Sequence, residues 1–368
     1  MVQGRKVVEL CLSHDASGVV FKRRNTLAII ETNGLSKAYQ SPLKEPGVRG
    51  AIKHLFKPAY KDIVAVTNID LSIEAGESVA YVGPNGAGKS TTIKMLTGIL
   101  LPSAGEIRVN GLHPYKERMR STKNIGVVFG QRTQLWWDIP VIESFTLLRD
   151  IYEVPEKTYR DNLAYFSEVL GLGEFLNRSA RQLSLGQRMR ADLAVALMHN
   201  PSIAFLDEPT IGLDVAVKER IREFLKQVNR ERGVTILLTS HDLGDIEDVC
   251  RRFIIIDMGR IIYDGSIQGL LDKYVKERSI RVSTRVKIDE AGAVQALPVG
   301  MRVSRSSERE LTLVFDRFKY TARDVIEIII PLVDVVDFQL DEPDIEEVVK
   351  NVYEGRLALP GQESVEQR

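Results

Sequence analysis

Residues Gly83 to Ser90 read Gly-Pro-Asn-Gly-Ala-Gly-Lys-Ser, which fits the phosphate-binding pattern G-x-x-x-x-G-K-[ST]. The preceding Ser78-Val79-Ala80-Tyr81-Val82 is a short apolar run suited to a buried strand. The following Thr91-Thr92-Ile93-Lys94-Met95-Leu96-Thr97 reads as the first turns of a helix. In that strand–loop–helix setting the glycines let backbone N–H groups curl around phosphate oxygens, and the helix N-terminus adds a partial positive charge. Gly83, Pro84, Asn85, Gly86, Ala87, Gly88, Lys89, Ser90 and Thr91 therefore form the candidate loop for a nucleoside triphosphate. Lys89 reaches the β- and γ-phosphates in such a loop, and the Ser90 hydroxyl ligates Mg²⁺.

Downstream order narrows the chemistry. Ile203-Ala204-Phe205-Leu206-Asp207-Glu208 is an apolar strand ending in two carboxylates. Asp207 is placed to hold Mg²⁺ through water, and Glu208 to orient or deprotonate an attacking water. Ile125 to Gln131 forms another strand ending in a glutamine, and Leu183-Ser184-Leu185-Gly186-Gln187 opens a helix running to Met198. Gly212-Leu213-Asp214, a buried strand Val234–Thr239 and then Ser240-His241-Asp242 follow.

With these motifs in this order, the chain resembles the ATP-binding subunit of an ABC transporter over roughly residues 28–270. The resemblance identifies Walker A at Gly83–Ser90, the Q-loop glutamine at Gln131, the signature at Ser184–Gln187 and Walker B at Ile203–Asp207. It also implies Glu208 as catalytic carboxylate, a D-loop ending in Asp214 and the H-loop histidine at His241. The fold it implies is α/β, a P-loop NTPase of the ABC ATPase type. That fold has a mixed core sheet with flanking helices, an antiparallel β subdomain and a helical subdomain.

The cofactors implied are ATP and Mg²⁺, the metal held by Ser90, Asp207 and Gln131. Two copies are expected to pack head to tail with ATP between the Walker A loop of one and the signature of the other. Ser184 and the Gly186 N–H then meet the γ-phosphate at a helix N-terminus, beside Gln187. His241 touches the γ-phosphate or the attacking water, and Gln131 contacts Mg²⁺ or the water. Tyr39, in Leu35-Ser36-Lys37-Ala38-Tyr39, resembles the adenine-stacking aromatic, since a ring face suits a base. One departure stands out. Leu185 replaces the first glycine of the commonest signature, Leu-Ser-Gly-Gly-Gln, which bears on how closely two copies approach.

Composition adds little. Lys+Arg 50 against Asp+Glu 50 gives formal net charge +0, so there is no global electrostatic case for nucleic acid or an anionic membrane. Cys11 and Cys250 show neither disulfide nor metal-ligand spacing and read as reduced thiols. Glu9, His14 and Asp15 interrupt any signal-peptide core. A spanning helix needs about 20 mostly apolar residues. The best candidate, Val325–Val336, contains Glu327, Pro331 and Asp334. The expectation is a cytoplasmic protein, peripheral on the inner face of the membrane, driving permease subunits on separate chains that dock near the Gln131 loop.

Residues 1–26 lack periodicity and read as a loosely ordered extension or an upstream start. The ATPase domain spans 27–270, with a mainly helical subdomain at about 132–195. A basic insertion at 41–61 reads as a solvated loop, with contact to permease or headgroups as the sharper alternative. Trp136 and Trp137 either anchor a partner helix or pack within the helical subdomain. A linking helix Ile267–Tyr274 leads to a small α/β appendage at 271–356, and 357–368 reads as a disordered tail. The appendage has strands at Ser279–Val286, Glu310–Phe315 and Val333–Phe338, a helix Ala322–Ile330 and a last helix after Pro343.

Only 95 positions separate Lys89 from Ser184, with no heptad run between them, which disfavours DNA-repair and chromosome ATPases. A single Walker A disfavours the two-cassette translation proteins. Val128 to Asp138 and the basic insertion look like an exporter subgroup that serves separate six-helix permeases, with an importer motor as the alternative. The cargo is set by the permease.

Overall fold

The computed structural model describes residues 28–42, 60–130, 132–240, 242–287, 297–341 and 348–349. The 1–26 extension, most of the 41–61 insertion, the 357–368 tail, Cys11, Gln131 and His241 lie outside the described residues.

Two long strands, β1 (Ala28–Pro42) and β2 (Tyr60–Glu74), pair antiparallel, from Ala28 opposite Glu74 to Pro42 opposite Tyr60. In β2 the buried residues Ile69, Leu71 and Ile73 alternate with exposed Asp70 and Ser72, the period of a half-buried strand. Then come β3 (Ser78–Val82), α1 (Lys89–Leu96), and β4 (Ala104–Val109), which completes a three-stranded antiparallel sheet in the order β2-β1-β4. The insertion thus lies in sequence between the paired ends Pro42 and Tyr60 of β1 and β2.

A short helix α2 (Arg118–Thr122) precedes β5 (Ile125–Phe129). Helices α3 (Val141–Ile151) and α4 (Glu156–Leu170) and a 3₁₀ turn at Ala180–Gln182 lead into α5 (Leu185–Leu197). The core sheet is completed by β6 (Ile203–Asp207), α6 (Val215–Arg232), β7 (Thr235–Thr239), α7 (Leu243–Val249), β8 (Arg252–Asp257) and β9 (Arg260–Gly265). Its order is β5-β6-β7-β3-β8-β9, parallel except for β9, which runs antiparallel to β8. Strands β3 and β7 are buried at every residue, as expected where helices cover both faces of a parallel sheet. Because β3, β5, β6 and β7 run the same way, their C-terminal ends release four loops along one edge, where ligands of open α/β sheets bind.

Helix α8 (Ile267–Tyr274) leads to a separate antiparallel sheet of β10 (Glu277–Thr284), β11 (Met301–Ser306), β12 (Glu310–Asp316) and β13 (Val335–Asp341), in the order β11-β12-β10-β13. Helix α9 (Ala322–Ile329) buries Val325 and Ile329 against Ile280, Val282, Leu311, Leu313 and Phe315. Arg317 joins this unit to α8 by an ion pair with Asp272 at 2.6 Å. Val348 and Val349, beyond β13, are buried in the large apolar cluster of the ATPase together with Leu270 and Val275. Among the described residues no helix is long and apolar enough to cross a membrane.

Candidate functional site

The Gly83 loop leaves β3 and turns directly into α1. Gly88 caps that helix at φ 109°, and a Cβ there would lie 2.6 Å from the Ala65 carbonyl oxygen, so only glycine fits. Lys89 is buried, and its Nζ donates to the carbonyls of Gly83 at 2.5 Å and Pro84 at 3.3 Å. Burial lowers the pKa of its ammonium, while the nearby Glu208 and Asp207 carboxylates work in the opposite direction. Ala87 N donates to the Pro84 carbonyl at 3.1 Å, Gly86 adopts φ 86°, Asn85 is exposed, and Thr91 is half-buried in the first turn of α1.

Strand register brings the two carboxylates to this loop. Phe129, Asp207 and Thr239 are aligned across β5, β6 and β7. Ser90 Oγ donates to Asp207 Oδ2 at 2.9 Å, and Thr239 Oγ1 donates to Asp207 Oδ1 at 2.7 Å. Glu208 N donates to the Thr239 carbonyl at 3.0 Å and to its hydroxyl at 3.1 Å. Glu208 itself sits at φ 56°, a left-handed conformation that costs a non-glycine residue about 1 kcal/mol or more and that recurs at functional sites. Gly130 N donates to the Asp207 carbonyl at 2.8 Å, and a Cβ on Gly130 would lie 2.3 Å from the Glu208 carbonyl oxygen. A cleft of about 590 Å³ opens here, lined by Asn85, Ser90, Phe129, Arg132, Asp207 and Glu208 among others. The hydroxyl and carboxylate oxygens of Ser90 and Asp207 are a hard donor set suited to Mg²⁺.

On either side of position 131, Gly130 is bonded as above and Arg132 N donates to the Phe129 carbonyl at 2.9 Å. The segment beyond it is bonded to α5. Thr133 Oγ1 and Gln134 N both donate to Asp192 Oδ1, at 2.9 and 2.8 Å. Burial pushes the Asp192 carboxyl up to about 6, against the pull of those hydrogen bonds and of Arg188. The Trp137 carbonyl accepts from Arg181 N at 3.1 Å, and the Arg188 guanidinium lies 4.7 Å from the Trp137 ring centre. Both tryptophans keep outward surface, Trp136 at 41% and Trp137 at 49% exposure.

Ser184 caps α5, its Oγ accepting from Gln187 N at 3.2 Å while Gln187 Oε1 accepts from Ser184 N at 3.0 Å. The Ser184 hydroxyl therefore spends a lone pair on the helix and keeps its proton for an outside acceptor. Ser184 is exposed, and neither it nor Gly186 lines the cleft over Ser90. Leu185 is half-exposed, and Gly186 leaves room for the Val217 methyls. Tyr39 is exposed on the β1–β2 hairpin opposite Ile63, with Lys37 Nζ 5.4 Å from its ring centre, and it too lies apart from that cleft.

Three residues with a clear place here escape sequence reasoning. Thr239 holds both Asp207 and Glu208, and its signal is a hydroxyl closing an otherwise apolar buried strand. Asp192 is a carboxylate inside a helix whose neighbours Ala191 and Leu193 are fully buried. Lys218 of α6 pairs with Asp242, which follows His241 directly; nothing local in the sequence predicts that pair.

The sequence profile described as "ABC transporter" matches residues 66–211. The chain is 35% identical over 224 residues to the ABC transporter ATP-binding protein NatA of Bacillus subtilis, covering 61% of this chain and 89% of that one. It is 30% identical over 305 residues to the linearmycin resistance ATP-binding protein LnrL of the same organism, covering 80% and 96%. The methionine import ATP-binding protein MetN 2 of Enterococcus faecalis is 30% identical over 250 residues, covering 66% and 72%. Among solved structures, a dimeric ATP-binding cassette in a post-hydrolysis state with ADP and Pi superposes with TM-score 0.54. It is 27% identical and covers 65% of this chain and 98% of that one. By its folded core, its ordered motifs and these relatives, the chain belongs to the ATP-binding, ATP-hydrolysing subunits of ABC transporters.

Proposed function

We propose that this chain is the motor of a membrane exporter, working as a head-to-tail pair of copies that clamps two ATP molecules. One observation carries the reading. Ser90, Asp207 and Glu208 line one cleft, with Thr239 bracing Asp207 and the Glu208 backbone, while Ser184 is exposed away from that cleft at the start of α5. A second copy brings the two surfaces together around the γ-phosphate.

In this site Lys89 exchanges its loop carbonyls for phosphate oxygens, and Ser90 and Asp207 hold Mg²⁺. Held by Ser90 and Asp207, such a metal would supply positive charge to offset the negative charge that develops on the phosphates. Glu208 orients a water whose oxygen bonds to the γ-phosphorus as the bond to ADP breaks, and it accepts the water's proton. Gln131 and His241, which follow β5 and β7 in sequence, contact the water or the γ-phosphate. Tyr39 stacks on adenine.

Separate permease chains receive the force at the surface around Trp136 and Trp137, which joins the Gln131 turn to α5. The protein then sits at the inner face of the membrane. Export is supported by the LnrL alignment, whose 305 residues exceed the ATPase core and include part of the small sheet. Import is the second reading, favoured by the similarity to MetN 2.

The deciding experiment uses Glu208→Gln. This variant should bind ATP, hydrolyse almost none, and shift from monomer to dimer by light scattering when ATP and Mg²⁺ are added. Adding Ser184→Arg should abolish the shift. Near-normal turnover in Glu208→Gln, or a dimer indifferent to nucleotide and to Ser184, contradicts the proposal.

A further inference from the structure

Asp192 is the buried carboxylate that the ATP chemistry leaves unused. It lies within α5, the helix that Ser184 opens, and is only 3% exposed. A carboxylate in such a place is costly unless its hydrogen bonds repay the loss of water, and an apolar residue would pack there as well. Its hydrogen bonds come from one short stretch. Oδ1 accepts from Thr133 Oγ1 and from Gln134 N, and Thr133 Oγ1 in turn accepts from Leu135 N at 3.1 Å. The Gln134 side chain continues the tie by donating from Nε2 to the Val127 carbonyl on β5 at 2.6 Å.

Residues 132–138 therefore form a strap. One end is bonded to β5 next to Asp207, and the rest is bonded to α5 through Asp192 and through Arg188 stacked on Trp137. The strap begins directly after Gln131, and α5 begins directly after Ser184.

We propose that Asp192 is a positioning residue for hydrolysis. It locks the strap after Gln131 to the helix that Ser184 caps, so that a contact made to one nucleotide and a contact made to the other travel as one body. The inference rests on the two-copy ATP site proposed above. In that site Gln131 faces the ATP held by its own Walker A loop, and Ser184 faces the ATP held by the partner copy. Without the tie, each half can respond to its own nucleotide and the two γ-phosphates lose their common geometry.

The test uses the full chain and compares Asp192→Ala, Asp192→Asn, Thr133→Val and Gln131→Ala. The measurements are steady-state kcat and KM for ATP, equilibrium binding of ATP, and thermal melting. Asp192→Ala should lose roughly 10- to 100-fold in kcat, the scale of a small misplacement. Its Kd for ATP should stay within about twofold. Asp192→Asn keeps an oxygen that accepts both hydrogen bonds and should recover most of the rate. Thr133→Val should fall between them, and combining it with Asp192→Ala should add little, as expected for partners in one interaction.

Normal kcat in Asp192→Ala beside a slow Gln131→Ala overturns the inference while leaving the proposed site intact. Equal losses of ATP binding, melting temperature and rate, unrescued by Asp192→Asn, overturn it in favour of a purely structural carboxylate. Normal kcat in Gln131→Ala removes the reading of the site, and the inference with it. If Asp192→Ala does not fold, Thr133→Val decides alone: a lowered kcat with unchanged ATP binding supports the tie, and a normal kcat overturns it.

Discussion

Lys89 Nζ donates to the carbonyl of Gly83 at 2.5 Å, so the loop's own cation closes the ring that a phosphate must enter. The bound nucleotide offers Lys89 charged acceptors in place of neutral ones. A hydrogen bond between charged groups is worth about 1.5–3 kcal/mol. Lys89→Ala should therefore raise the Kd for ATP by roughly 10- to 100-fold, measured with a fluorescent nucleotide, without lowering the melting temperature of the free protein to match. Unchanged affinity would mean that the backbone cradle binds phosphate without the lysine.

Thr239 offers a sharper probe of the metal. Its hydroxyl fixes Asp207 Oδ1 and leaves Oδ2 to Ser90. Partners that orient a metal ligand typically contribute 10- to 100-fold in metal affinity or activity. Thr239→Val, close in shape, should raise the Mg²⁺ concentration for half-maximal ATPase activity by about tenfold or more, with little change in metal-free nucleotide binding. A normal Mg²⁺ titration would show that Asp207 needs no such brace.

Trp136 and Trp137 test the docking surface. Truncating a buried aromatic anchor of an interface costs on the order of 2 kcal/mol or more. Trp136→Ala should weaken recruitment to membranes holding co-expressed permeases, read by fractionation, while the isolated subunit keeps its ATPase rate. Trp137→Ala should weaken recruitment too, but it also releases Arg188, whose guanidinium stacks on the Trp137 ring, so its ATPase rate should fall as the strap loosens. Normal recruitment together with easier unfolding would place both rings in the fold's own packing.

Two buried groups should pull stability in opposite directions with pH. Burial holds Asp192 at about 6 against an ordinary 3.8, so the native state keeps that proton longer than the unfolded chain. Its effect is that stability falls as pH rises between those values, by about 3 kcal/mol in total. His199 stacks on Tyr152 with ring centres 4.1 Å apart, and its Nε2 bonds the Ile125 carbonyl. Burial pushes it down to about 4 from 6.5, so its stability is lost as pH falls through that window. In wild type the two act in opposite directions over much the same pH range. Asp192→Asn should unmask the histidine, so that the melting temperature drops steadily from pH 6.5 to 4. It should also leave the variant more stable than wild type near pH 7.5. A profile for Asp192→Asn parallel to wild type would refute the assignment.

How much of this was legible in the sequence depended on range. The β3–loop–α1 unit could be read because its apolar strand, its glycines and its helix all lie within about twenty residues. The strand ending in Asp207 was as plain, and the linking helix Ile267–Tyr274 appears in the structure as read. β11 was missed because Met301 and Val303 alternate with Arg302 and Ser304 over a short stretch, and because its partner β12 supplies the rest of its burial. The full length of β1, from Ala28 to Pro42, was hidden because register shifts at Thr32, Leu35 and Lys37 break its period of two. The ties from Asp192 to Thr133 and from Lys218 to Asp242 span 59 and 24 residues, and only the folded chain brings them together.

Val348 and Val349 give the small sheet an unexpected standing. The chain leaves the ATPase at α8 and returns to the same apolar cluster after β13, so the sheet is an excursion planted on two feet instead of a bead on a string. Cutting the chain just after α8 would not trim an ornament. It would pull two valines from a shared interior. A fluorescent reporter or a fusion that must not disturb the motor therefore belongs on an exposed position of the small sheet, such as Gln339 on its edge strand β13, and not in either foot.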